Sequence, residues 1–74
     1  MVLTGTQIRM ARAALRWDRG TLAEEANINP GTISRIEGGA QALSGTLARI
    51  QQAFEREGVR FTSDNGVYAP RGSK

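Results

Sequence analysis

The stretch NINPGTISRIEGG, residues 27–39, decides the fold. Asn29 is a residue of the N-cap type, whose side-chain oxygen accepts a hydrogen bond from a free amide of a first helical turn. Pro30 follows at the first helical position, where its missing N–H costs nothing. Ile33 and Ile36, three residues apart, share one face of a helix, and Gly38-Gly39 stops it. The spacing predicts a short helix over 30–37, anchored through two isoleucines, whose leading tip of proline and glycine carries no reaching side chain.

Upstream, Asn27 suits the left-handed conformation that ends a helix. That helix is expected over 19–26, with Asp18 as its N-cap and Leu22, Ala23 and Ala26 facing inward. Gly20 weakens it by about 0.5–1 kcal/mol relative to alanine. Two short helices joined by about three residues make a helix-turn-helix shape. Before them, Thr4-Gly5-Thr6-Gln7 fits a capping box and opens a helix over 5–16 with Ile8, Ala11 and Leu15 in one stripe.

Downstream, 39–43 reads as a loop, and Ser44 is expected to cap a helix carrying Leu47, Ile50 and Phe54, ended by Gly58. The period then changes. Val59 and Phe61 alternate with Arg60 and Thr62, and Asp64-Asn65-Gly66 is a turn signal before Val67-Tyr68, so a hairpin or single edge strand is expected. The expected organisation is a helical unit over 1–58, a strand or hairpin over 59–69 and a loose tail over 70–74.

Composition narrows the function. A chain of 74 residues makes one small domain whose core stabilises only marginally, which points toward an oligomer. With no cysteine and no histidine, disulfides, common zinc sites and Ser-His-Asp or Cys-His catalysis are excluded. No nucleophile stands with a base and no phosphate loop carries a lysine, so neither an enzyme nor a cofactor is expected. Nine arginines and one lysine against seven acidic residues give a net charge of +3, and planar guanidinium suits phosphate and base edges. No apolar run resembles a signal peptide or approaches the ~20 residues of a membrane span, so a cytoplasmic location is expected.

The run Leu22-Ala23, Ile28-Asn29 and Thr32-Ile33-Ser34-Arg35-Ile36-Glu37-Gly38-Gly39 resembles the helix-turn-helix of the Xre/Cro/cI repressor family. The resemblance covers about residues 4–57, and the C-terminal ARIQQAFEREGVRFTSDNGV is similar to a tail of short bacterial members. It implies a mostly α fold of four to five short helices of the lambda-repressor-like type, with a short C-terminal β strand or hairpin. It also implies that the helix over 30–37 enters the major groove of double-stranded DNA. Thr32, Ser34 and Arg35 would then read bases, Arg35 by a bidentate bond to guanine worth about 1–3 kcal/mol of discrimination. Arg19, Asn29, Gly31 and Ser44 would meet phosphates. Arg12 and Glu37 occupy positions that pair in some members, and a partly buried salt bridge is expected between them.

Three positions depart from the family pattern. Asp18-Arg19 stands where many members have Ser-Gln, Arg16 where many end the first helix with glycine, and Pro30-Gly31 where many read bases. The bare tip either shifts specificity to Thr32, Arg35 and DNA shape or marks a scaffold serving another partner. Arg9, Arg49, Arg56 and Arg60 read as solvated surface, and Trp17 as core or a lid on the first two helices. Val59, Phe61, Val67 and Tyr68 form a candidate dimerisation strand, because an exposed edge invites a two-fold mate. The expected function is a dimeric, sequence-specific transcriptional repressor. The alternative is a protein-interaction module, antitoxin-like or an anti-activator, on the same scaffold.

Overall fold

Residues 3–69 are described by a computed structural model, in which four helices precede a two-stranded antiparallel sheet. The helices are α1 (Gly5–Leu15), α2 (Arg19–Ala26), α3 (Pro30–Glu37) and α4 (Ser44–Arg56), and the strands are β1 (Arg60–Phe61) and β2 (Val67–Tyr68). The two strands pair as a hairpin, Arg60 opposite Tyr68 and Phe61 opposite Val67. The proposed tail, 70–74, lies outside the described residues.

Local chemistry sets the helix starts. Thr4 and Gln7 form the full capping box, the Thr4 hydroxyl accepting from the Gln7 amide at 3.1 Å and the Gln7 side chain accepting from the Thr4 amide at 3.0 Å. Asp18 accepts from the Thr21 amide at 2.7 Å, and Asn29 from the Gly31 amide at 2.7 Å, with Pro30 at the first position of α3. At α4 the expectation is corrected. Ser44 is already helical and Leu43 is the N-cap, with no side-chain cap, so the opening amides of α4 are left without one.

All four helices end alike. An amide two or three residues past each helix bends back to a carbonyl five residues earlier: Trp17 to Arg12, Ile28 to Ala23, Ala40 to Arg35 and Val59 to Phe54, at 2.8–3.2 Å. A second bond closes inside it, from Arg16 to Ala13, Asn27 to Glu24, Gly39 to Ile36 and Gly58 to Glu55. This is the Schellman termination, which needs one residue at positive φ. Arg16 (59°), Asn27 (59°), Gly39 (105°) and Gly58 (91°) supply it. The first helix therefore ends at Leu15, and the arginine in place of glycine still makes the bend.

One core gathers the helices and the hairpin. Ile8, Leu22, Ile33, Ile50, Phe54 and Val59 are fully buried, and removal of each such side chain from water contributes about 1.5–3 kcal/mol. Trp17 stacks on Phe54 with ring centroids 5.6 Å apart, and Phe61 meets the same ring edge-on at 5.9 Å. The start of α1 lies against the end of α3 so closely that a Cβ on Gly5 would sit 2.5 Å from the Ile36 carbonyl oxygen. The hairpin is tied to α1 by the buried Gln7, whose Nε2 donates to the Gly66 carbonyl at 3.2 Å. Val59 precedes β1 and is fully buried in this core, so it is corrected from a dimer contact to a core residue. Among the described residues no helix is long and apolar enough to cross a membrane.

Candidate functional site

The outward face of α3 follows from its two isoleucines. Ile33 and Ile36 point into the core, which leaves Gly31, Ser34 and Arg35 exposed and Thr32 half-buried at the rim. Arg35 reaches back along its own helix, its Nη2 donating to the Thr32 hydroxyl at 3.2 Å. A Cβ on Gly31 would lie 3.7 Å from Arg35 Nη1, an ordinary van der Waals distance, so the guanidinium rests beside the helix tip. The bare tip thus has the Arg35 guanidinium beside it, which the sequence did not reveal.

Behind this face, Glu37 holds α1, α2 and α3 together. Its side chain is 2% exposed; Arg12 donates to both carboxylate oxygens, Nε to Oε2 at 2.6 Å and Nη2 to Oε1 at 2.9 Å. Arg19 adds a third bond, Nε to Oε1 at 3.1 Å. Burial pushes the Glu37 carboxyl up, but the hydrogen bonds and charges of Arg12 and Arg19 outweigh it and hold it below the usual glutamate range. Arg12 also donates through Nη1 to the Trp17 carbonyl at 3.1 Å, and Arg9 donates to the Glu37 carbonyl at 3.3 Å.

The structure brings Arg12, Arg19 and Glu37 into one cluster, and Thr32 and Arg35 into another. Arg19 spends Nε on Glu37 yet remains half exposed. The amide of Gly31 is already taken by the Asn29 side chain, and those of Thr32 and Ile33 turn to the Asn29 carbonyl at 3.0 and 3.4 Å. Gly31 is therefore corrected as a phosphate contact: it has neither a side chain nor a free amide to offer. Asn29 is exposed, and with its oxygen engaged by the Gly31 amide its side-chain nitrogen is the donor it can offer a ligand. Ser44 is exposed at the start of α4, where no cap competes for the opening amides.

A groove of about 270 Å³ runs between α3 and the loop to α4, lined by Thr32, Arg35, Ile36, Gln41, Ala42, Leu43 and Thr46. Leu43 stands at its rim, 80% exposed. Sequence reasoning missed Gln41 and Leu43, which carry no motif. Arg9, Arg49, Arg56 and Arg60 are exposed, as expected of solvated surface, and each also donates to a backbone carbonyl, of Glu37, Asn27, Glu25 and Val59, at 3.3, 3.4, 2.8 and 3.4 Å. Phe61 and Val67 pack partly against the core, and Tyr68 is 71% exposed on the outer side of the hairpin. Among the described residues no three acidic side chains gather to hold a metal ion. No protein-family model, curated protein or solved structure matches the chain.

Proposed function

We propose that the chain is a sequence-specific DNA-binding transcriptional regulator of the lambda-repressor-like helix-turn-helix type, acting as a cytoplasmic homodimeric repressor. One observation carries the reading. The only carboxylate of α3, Glu37, is turned inward under two arginines, which leaves an outer face whose single charge is the Arg35 guanidinium. A face that must enter a groove walled by phosphates tolerates no uncompensated negative charge. On this reading α3 lies in the major groove and Arg35, held by Thr32 over Gly31, meets the N7 and O6 acceptors of a guanine. Ser34 lies beside it on the exposed face. The uncapped start of α4 at Ser44 and the exposed part of Arg19 flank the groove as phosphate contacts.

The dimer joins two copies through the hairpin edge that carries the exposed Tyr68, placing two α3 helices about 34 Å apart on a palindromic site. Selection of the purified protein on random-sequence duplexes tests this reading. An inverted repeat containing guanine in each half-site is expected, and Arg35→Ala weakens its binding roughly 10- to 100-fold, from the discrimination of a bidentate pair. Absence of any enriched sequence at moderate salt overturns it. A second reading, a protein-interaction module, is favoured by Leu43: a leucine 80% exposed beside the α3 groove suits an apolar partner better than a phosphate.

A further inference from the structure

The four helix ends differ in one respect. Each needs a residue in the left-handed region, and the chain places glycine at two of them (Gly39, Gly58), asparagine at one (Asn27) and arginine at one (Arg16). Glycine adopts that conformation without steric cost, asparagine tolerates it, and a long side chain with a Cβ is strained there. Arg16 differs in a second way. Arg9, Arg12, Arg19, Arg35, Arg49, Arg56 and Arg60 all donate a side-chain hydrogen bond within the chain, whereas the Arg16 guanidinium, exposed, donates none among the described residues.

Resting on the DNA reading above, we infer that Arg16 is a phosphate-binding residue, and that the strained helix end at the α1–α2 joint is the cost of placing it there. The joint is fixed for this role. Arg12 holds the carbonyl of Trp17, next in the chain to Arg16, while its other nitrogens hold Glu37 at the end of α3. Arg19, three residues beyond Arg16, binds the same carboxylate. Position 16 is thereby registered to α3 through one ion cluster, with its charge unspent. Neighbouring Arg12 and Arg19 are neutralised in part by Glu37, so Arg16 is the cation of the joint that brings a full charge to an anionic backbone. Strain retained at an exposed, unpartnered cation is expected where the side chain acts on something outside the fold.

The two properties separate by substitution. Arg16→Gly removes strain and charge, Arg16→Gln keeps the strain and removes the charge, and Arg16→Lys keeps both. Binding to a fluorescent mixed-sequence duplex, followed across a salt series, reads the charge, and the melting temperature reads the strain. Arg16→Gln and Arg16→Gly are expected to flatten the slope of log affinity against log salt by about one unit, as for loss of one phosphate contact. Arg16→Lys keeps the slope, and Arg16→Gly alone raises Tm by a few degrees. An unchanged slope in Arg16→Gln, beside wild-type protein that binds the duplex, overturns the assignment while leaving the DNA reading intact. Wild-type protein that binds no duplex at low salt overturns both.

Discussion

Gly5 shows how much one missing Cβ sets in this chain. Its position brings the first turn of α1 against the Ile36 carbonyl and the Glu37 backbone, where a methyl group would lie 2.5 Å from an oxygen that cannot turn aside. Gly5→Ala is therefore expected to destabilise the protein by about 1–3 kcal/mol in urea denaturation, the usual cost of forcing atoms into a filled site. Gly45→Ala, in α4 with open space around its Cβ, serves as the control and changes stability little or raises it. The sequence offered no means of telling these two glycines apart. Both follow a potential helix start, and the difference is the distance to a helix about thirty residues away. At Gly31 the bareness was visible in the sequence, but the Arg35 guanidinium beside it was not.

At the scale of elements, Gln7 carries two tasks that can be measured apart. It completes the capping box with Thr4, and its Nε2 holds the Gly66 carbonyl of the hairpin. Thr4→Ala removes the cap and costs about 1 kcal/mol. Gln7→Ala removes the cap partner and the hairpin tie together, and because the half-buried Gly66 carbonyl keeps its bond from the Thr62 amide, about 0.5–1.5 kcal/mol is expected from the lost tie beyond the cap. A Gln7→Ala effect no larger than that of Thr4→Ala in chemical denaturation would show that the hairpin docks without this bond. The caps were legible because they are local: Thr4 with Gln7, Asp18 with Thr21, Asn29 with Pro30, and Asn27 at a left-handed end all lie within three residues. Ser44 misled because Leu43, without a capping group, starts α4 one residue sooner. Val59 reads as the first residue of an alternating strand, whereas the helix end before it turns the residue into the core. The Arg12–Glu37 pair was anticipated only through resemblance, and the third member, Arg19, was assigned to phosphate.

For the molecule as a whole, the Glu37 cluster makes stability depend on acid. The folded carboxyl titrates below its ordinary value of 4.5, so its contribution is present above about that pH and is lost as pH falls through the lower folded value. Unfolding free energy should fall in that acid window and less steeply in Glu37→Gln, with Asp18 and Asp64, both also held low, supplying the remaining slope. Identical acid profiles for the two proteins, measured by denaturation at a series of pH values, would remove Glu37 from this role. Because the cluster joins α1, α2 and α3, its loss loosens the mounting of the whole outer face of α3, not one contact. The stacking of Trp17 on Phe54 has a practical corollary. The chain has a single tryptophan, directly after Arg16 and against the central ring of the core. Its intrinsic fluorescence therefore reports from one known place, so that unfolding of the core and any change at the joint beside it can be followed optically, with no added label.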